Sequence, residues 1–186
     1  RRQPVSTLFP YTTLLPSTLY YKMNGVIHKS KDTTPEPPDL QEILRRMADA
    51  RFDYCVMETS SHGIEFFRLT GCQFRVAVFT NLTQDHLDFH KTMENYLNAK
   101  LKLFRWLSAD DYAVINIDDS YGHHFVKATQ ARVISYGLSA QAAVRAENIR
   151  YHIKGTSYRL VTPKGAIEIE TGLVGRFNVY NALAAV

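Results

Sequence analysis

Between Met57 and Lys100 the chain collects side chains suited to metal and phosphate chemistry. Met57-Glu58-Thr59-Ser60-Ser61-His62 places a carboxylate and a hydroxyl-imidazole cluster directly after an apolar run. Asp85-His86-Leu87-Asp88-Phe89-His90 follows a second apolar run and offers two carboxylates and two imidazoles, and Lys100 comes ten residues later. Carboxylate and imidazole together can hold Mg²⁺, Mn²⁺ or Zn²⁺, and spacing alone does not choose among them. Short Asp/His clusters also cap helices and build turns, so the loop by itself is a weak motif.

Elements must bring these groups together. Tyr54 to Met57 and Val76 to Phe79 are short apolar runs of the kind expected for strands of a parallel sheet covered on both faces. Glu58 and Asn81 then fall at or just past strand ends, where the ligand crevice of an open α/β sheet lies. The lesser alternative is that Glu58 and Ser60 merely cap a helix starting near Ser61, and both readings can hold at once. After Thr92, Met93, Leu97, Phe104 and Leu107 form a helical apolar stripe whose i+7 position is Lys100. A lysine within such a stripe is costly unless it snorkels, pairs or is chemically altered, and desolvation favours its neutral form. A neutral amine is a nucleophile toward carbon dioxide as well as toward substrates.

The remaining punctuation gives an α/β fold: a mostly parallel sheet flanked by helices, with a small antiparallel ribbon. Asn24-Gly25 between apolar flanks predicts a hairpin over 20–29. Asp32 to Pro38 reads as a loop. Asp39 with Glu42 predicts a capping-box start for a helix through about Ala50. Ala113 to Ile115 and Arg132 to Ser135 read as strands separated by a helix around 121–129. Alternation from Ala143 to Thr171, with a turn at Thr162-Pro163-Lys164-Gly165, predicts the ribbon, and Gly175 to Val186 returns to helix.

Composition bounds the function classes. The 186 residues are 45% hydrophobic, enough for a sizeable core in one ordinary domain. Eighteen acidic residues against 22 Lys and Arg leave a mild positive charge of +4 that suits anionic ligands. The basic residues are scattered without aromatic interleaving, so no nucleic acid is expected. No apolar run approaches a membrane span, and Cys55 and Cys72 lack metal spacing, which together lead us to expect a cytoplasmic protein with reduced thiols.

Taken in order, the residues resemble the Mur ligases, and within them the MurE type, the UDP-N-acetylmuramoyl-dipeptide ligases of peptidoglycan synthesis. The match runs from about Leu19 to Val186. It comprises TxYYKxNG (Thr18 to Gly25), the TTP element (Thr33 to Pro35), MExSSH (Met57 to His62), FTNLxxDHLDxH (Phe79 to His90), MExYxxAKxxLF (Met93 to Phe104) and GRFNxxNxLAA (Gly175 to Ala185).

The resemblance implies roles residue by residue. Glu58 and His86 help hold magnesium, and Lys100 is carbamylated so that its new carboxylate supports a magnesium ion. Thr33, Thr34, Ser60 and Arg68 contact the UDP-muramoyl substrate. Asn81, Asn178 and Asn181 lie by ATP. The implied fold is the central, ATP-binding domain with a P-loop-like architecture. The implied reaction is ATP-dependent amide formation: the D-glutamate carboxylate of UDP-MurNAc-L-Ala-D-Glu is phosphorylated, and the amine of a diamino acid, diaminopimelate or lysine, displaces phosphate. Mg²⁺ and ATP are the implied cofactor and co-substrate, and a monomer is expected.

Some positions depart from the pattern. Phe66 stands where some members carry glutamine, and Thr59 where valine is usual. No G-x-x-G-K-[ST] phosphate loop occurs in the sequence. Residues 1–16 lack periodicity and read as a foreign leader before a central domain over 17–186, cut at both ends and without the C-terminal domain; on that reading the chain alone is inactive. Three alternatives stay open: a non-catalytic module holding the UDP-muramoyl ligand, a related ligase acting on other residues or on folates, and a metallohydrolase built on His62, Asp85, His86, Asp88 and His90.

Overall fold

Pro37, whose ring fixes φ and whose missing N–H would have no helical partner anyway, opens the first long helix. The computed structural model describes residues 13–14, 20–23, 26–29 and 32–186. These fall into two compact units, one ending at Cys72 and the other running Gln73–Val186. Each unit is described by itself.

The first unit contains β1 (Thr13–Leu14), β2 (Tyr20–Met23), β3 (Val26–Lys29), α1 (Pro37–Asp49), β4 (Tyr54–Cys55) and α2 (Ser61–Glu65). β2 and β3 pair antiparallel with Met23 opposite Val26, the two-residue hairpin that Asn24-Gly25 predicts. α1 buries Leu40, Ile43 and Met47, one face of a helix, and Leu44 and Phe52 pack beside the last two. The expected capping box does not form. Glu36 is the N-cap and makes no side-chain cap bond, because the prolines start the helix before Asp39; Glu42 instead lies 3.9 Å from Arg46 one turn on. The run expected as a strand over 54–57 is hydrogen-bonded only over β4, in a parallel pair with β1 that is separate from the larger sheet.

The second unit contains β5 (Val76–Phe79), α3 (Leu87–His90), α4 (Met93–Arg105), β6 (Tyr112–Asn116), α5 (Gly122–Ala128), β7 (Arg132–Gly137), β8 (Val144–His152), β9 (Gly155–Thr162), β10 (Gly165–Thr171) and α6 (Arg176–Ala184). Its sheet runs in the order β5-β6-β7-β8-β9-β10. Pairings from β5 to β8 are parallel and those from β8 to β10 antiparallel, the mixed α/β arrangement expected from sequence.

Strand alternation sorts the side chains of this sheet. Ala77, Phe79, Ala113 and Ile115 share one buried face, where Phe125 of α5 stacks on Phe79 at 3.8 Å and meets Phe104 of α4 edge-on. α5 comes so close to the end of β6 that a Cβ on Gly122 would lie 2.3 Å from the Asn116 carbonyl, so only glycine fits. On the opposite face, Val179 and Leu183 of α6 join Tyr136, Val144, Ala146, Tyr158 and Leu160, with Val114 and Ile134 alongside. On β5, Val76 and Val78 are 49% and 43% exposed. The expectation that this strand is covered on both faces is therefore corrected.

Candidate functional site

In the first unit the predicted substrate residues hold one another. Ser60 takes an extended conformation and accepts a 3.0 Å hydrogen bond from the Gly63 amide, capping α2 as the capping reading expects. Thr34 has no exposed surface. Its hydroxyl donates to the Glu58 carbonyl at 3.1 Å, accepts from the Ser60 amide at 2.9 Å and lies 3.2 Å from the Ser60 hydroxyl. A Cβ on Gly63 would come within 2.8 Å of the Thr34 side chain.

Arg68 locks the same corner. Its Nη1 donates to the Thr34 carbonyl at 2.8 Å, and its guanidinium pairs with Glu36 at 2.5 Å and Asp32 at 3.7 Å. Its Nε is buried without a hydrogen-bond partner among the described residues. Thr33 and His62 are half-buried and the Glu58 side chain is exposed. Thr34 and Ser60 thus aim the loop that presents Glu58. Nearby, Cys55 is exposed at its surface, and desolvation and then the charge of Cys72 push its thiol up, toward the protonated form.

In the second unit, the loop after β5 carries Asn81, which is exposed. Side chains from neighbouring strands pin it: Asn116 Nδ2 donates to the Thr80 carbonyl at 2.8 Å, Tyr136 OH to the Phe79 carbonyl at 3.1 Å, and the Leu82 amide to Asp119 at 3.1 Å. Burial, then the Asp119 charge, raises the Tyr136 phenol well above its ordinary value, so it stays a donor.

Further along that loop His86 sits in the left-handed region at φ 54° and starts α3, with its amide on Asp85 Oδ1 at 2.8 Å and its Nε2 3.6 Å from Asp85 Oδ2. His90 is buried and Asp88 exposed. Thr92 caps α4 by accepting from the Asn95 amide at 3.1 Å, and Asn95 Nδ2 returns to the His90 carbonyl at 2.9 Å. That corner puts the His90 ring on Tyr96 at 5.0 Å, while the His86 ring meets Tyr96 edge-on at 6.0 Å and Lys100 Nζ lies 5.1 Å over the same ring. Lys100 is half-buried between Ala99 and Leu101, which are buried, as its place in the apolar stripe predicts.

The asparagines of α6 share a face three residues apart: Asn178 is half-buried with Nδ2 on the Val174 carbonyl at 2.9 Å, and Asn181 is exposed. Beside them Asp118 accepts from Tyr180 OH at 2.7 Å and from the amides of Leu138 and Ser139, and Arg176 donates to Tyr180 OH at 3.2 Å.

Sequence reasoning missed Tyr96, Asn116, Asp118 and Asp119. The strand-end rule that picks out Glu58 and Asn81 also picks out Asn116-Ile117-Asp118-Asp119 after β6. Tyr96, four residues before Lys100, is marked only by helical spacing.

Glu58, Thr33, Thr34, Ser60 and Arg68 belong to one unit, and His86, Lys100, Asn81, Asn178 and Asn181 to the other. Among the described residues, no three His, Cys, Asp or Glu side chains gather to hold a metal ion. An open donor set of Asp85 and His86, joined by Lys100 only if its amine becomes a carbamate, fits Mg²⁺. That ion keeps several waters and binds through one or two carboxylates plus substrate phosphates, whereas a hydrolytic Zn²⁺ site needs three protein ligands. The hydrolase reading needs three such ligands together, and among the described residues no such group forms, with His90 packed on Tyr96. Among the described residues no helix is long and apolar enough to cross a membrane.

Comparison with known proteins places this geometry in context. A family model described as the Mur ligase middle domain matches residues 5–186. The chain is 46% identical over 179 residues to the UDP-N-acetylmuramoyl-L-alanyl-D-glutamate--2,6-diaminopimelate ligase of Bacillus velezensis, covering 93% of this chain and 36% of that protein. It is 47% identical over 175 residues to the ligase of the same name from Geobacter sulfurreducens, covering 91% of this chain and 34% of that protein. The chain therefore spans well under half the length of these curated relatives. A solved structure of a ligase of that name matches with a TM-score of 0.82 at 32% identity, over 93% of this chain and 36% of that one. MurF from Acinetobacter baumannii matches with a TM-score of 0.64 at 25% identity, over 71% of this chain and 29% of that one.

Proposed function

We propose, from the premise that the chain belongs to the Mur ligase family as a middle domain of the MurE type, that it serves the ATP-dependent addition of a diamino acid to UDP-MurNAc-L-Ala-D-Glu in peptidoglycan synthesis. The observation carrying this reading is the identity of 46% across 93% of the chain to a relative named for that step. The same name supports diaminopimelate as the incoming amine. A cytoplasmic monomer that takes up a nucleotide-linked peptide suits the reading.

The reaction divides into two displacements. The D-glutamate carboxylate attacks the γ-phosphorus of ATP, a P–O bond to ADP breaks, and an acyl phosphate forms. The amine then attacks the acyl carbon, the new C–N bond forms, phosphate leaves, and the amine proton passes to solvent or a base. Catalysis of such transfers is mostly positioning and charge neutralisation, and Mg²⁺ supplies the second by offsetting charge on the phosphoryl oxygens.

The chain's own residues supply the first. Arg68 offers a planar guanidinium to an anionic group of the muramoyl ligand, with Thr33 and Ser60 beside it. Thr34, whose hydroxyl is fully engaged inside the fold, acts by holding Ser60 and the Glu58 loop. Asn178 and Asn181 offer amides to the adenine of ATP. His86 and Lys100 would support the metal from the second unit, and in the first unit Glu58 is the carboxylate offered to magnesium. For Lys100 the neutral amine adds to carbon dioxide, Nζ–C forms, one C=O becomes C–O⁻, and the amine proton goes to solvent.

Thermal unfolding of this chain with UDP-MurNAc-L-Ala-D-Glu tests the reading. Ligand at 10 to 100 times its Kd stabilises the fold by about 1.4–2.7 kcal/mol, and Arg68→Lys, which keeps the charge but loses the fork, weakens that response. A Tm unmoved by millimolar ligand contradicts the assignment.

A further inference from the structure

One side chain with no role so far touches both proposed metal-supporting groups of the second unit. Tyr96 is only 6% exposed. Its ring is met edge-on by His86 at an interplanar angle of 88°, stacked by His90 at 24°, and overlain by Lys100 Nζ at 5.1 Å. We infer that Tyr96 is a positioning residue: its ring sets the direction of the His86 imidazole and of the Lys100 side chain, so that both present their ligating atoms to one place. The inference rests on the reading of His86 and Lys100 as metal-supporting residues.

The local structure explains why one ring can do this. Lys100 follows Tyr96 by four residues on α4, and long helical side chains lean toward the N-terminus, which brings the amine back over the preceding turn. Before modification the Lys100 ammonium is attracted by the ring quadrupole, which seats its aliphatic stem against the ring, and an edge-to-face ring pair is favoured over a face-to-face one. The other group against the ring is His86. Its side chain is 45% exposed on a left-handed turn, where packing alone leaves an imidazole several rotamers. The hydrogen bonds from Asn95 to Thr92 and to the His90 carbonyl fix the corner between α3 and α4, so Tyr96 is itself held. Phosphoryl transfer relies on placement, and groups that orient a metal's ligands typically change its affinity by 10-fold or more when removed.

The ring, not the phenol hydroxyl, carries this role, so Tyr96→Phe and Tyr96→Leu separate the two. The probe is Mn²⁺ alone, titrated into histidine-labelled chain in bicarbonate buffer, with paramagnetic broadening of the His86 imidazole read by NMR against His123. Far-UV circular dichroism confirms the fold, and Tyr96→Met provides a second ringless variant if leucine does not fold. Tyr96→Phe is expected to match the parent, and the ringless variant to need about 10-fold more Mn²⁺ for half-broadening. Broadening in the parent that is unchanged in a folded ringless variant overturns the positioning role and leaves the metal reading standing. A His86 signal untouched by Mn²⁺ in the parent overturns the metal reading itself and the inference with it.

Discussion

The two units place their candidate residues by different physics. Up to Cys72, the corner is a hydrogen-bonded knot: Thr34, Ser60 and Arg68 bond to one another and to the surrounding backbone, and the predicted residues are their own scaffold. From Gln73 on, the candidates are arranged by rings, with Tyr96 between His86, His90 and Lys100, and with Phe125 between Phe79 and Phe104. A knot of short hydrogen bonds is intolerant of any lost partner, because a buried donor or acceptor left unmade costs its full desolvation. Ring packing fails instead with lost volume and shape.

Substitutions should separate the two kinds of scaffold. The largest effect is expected from Phe125→Ala, which empties the stack beneath the parallel strands and should cost about 3–5 kcal/mol. Trp106 lies in the same unit and is the chain's single tryptophan, so its fluorescence during urea unfolding reads this directly; a loss under about 1 kcal/mol would mean the rings do not carry the packing. Thr34→Val keeps the shape but strands the Ser60 amide and the Glu58 carbonyl, and should cost about 2–3 kcal/mol locally. Faster hydrogen exchange at the Ser60 and Gly63 amides would show it, and unchanged protection would dissolve the knot as an explanation.

Ser60→Ala removes one cap from α2 and should cost about 1 kcal/mol, visible at the Gly63 amide. The smallest effect concerns pH. Hydrogen bonds from the Ser108 hydroxyl and amide, with Arg75 beyond them, hold the Asp111 carboxyl below the usual carboxylate range. Its stabilisation is therefore present above the ordinary carboxylate pKa and is lost as pH falls through the lowered value. Asp111→Asn should flatten the acid limb of the Trp106 unfolding curve, and an identical limb would remove Asp111 as a contributor.

Periodicity made the frame legible: a continuous apolar run found β5, alternation found the β8–β10 ribbon, Asn24-Gly25 found the hairpin, and the stripe from Met93 to Leu107 found α4 with Lys100 half-buried in it. What stayed hidden depends on distant partners. Thr34 as an interior hydroxyl requires knowing that residues 58–60 return to it. The start of α1 at Pro37 follows from proline's fixed φ overriding the Asp39 and Glu42 pattern. The exposure of Val76 and Val78 on β5 is not encoded in the apolar run at 76–79. Tyr96 reads as one more core aromatic until His86 and His90 are folded onto it.

Lys100 is where sequence, fold and proposed chemistry meet, so its modification is the measurement to make. Carbon-13 NMR of the folded chain in ¹³C-bicarbonate should show a carbamate carbon that is absent from Lys100→Ala. No such signal in the parent chain, or one that persists in Lys100→Ala, would contradict the assignment of Lys100 as the carbamylated support of the metal.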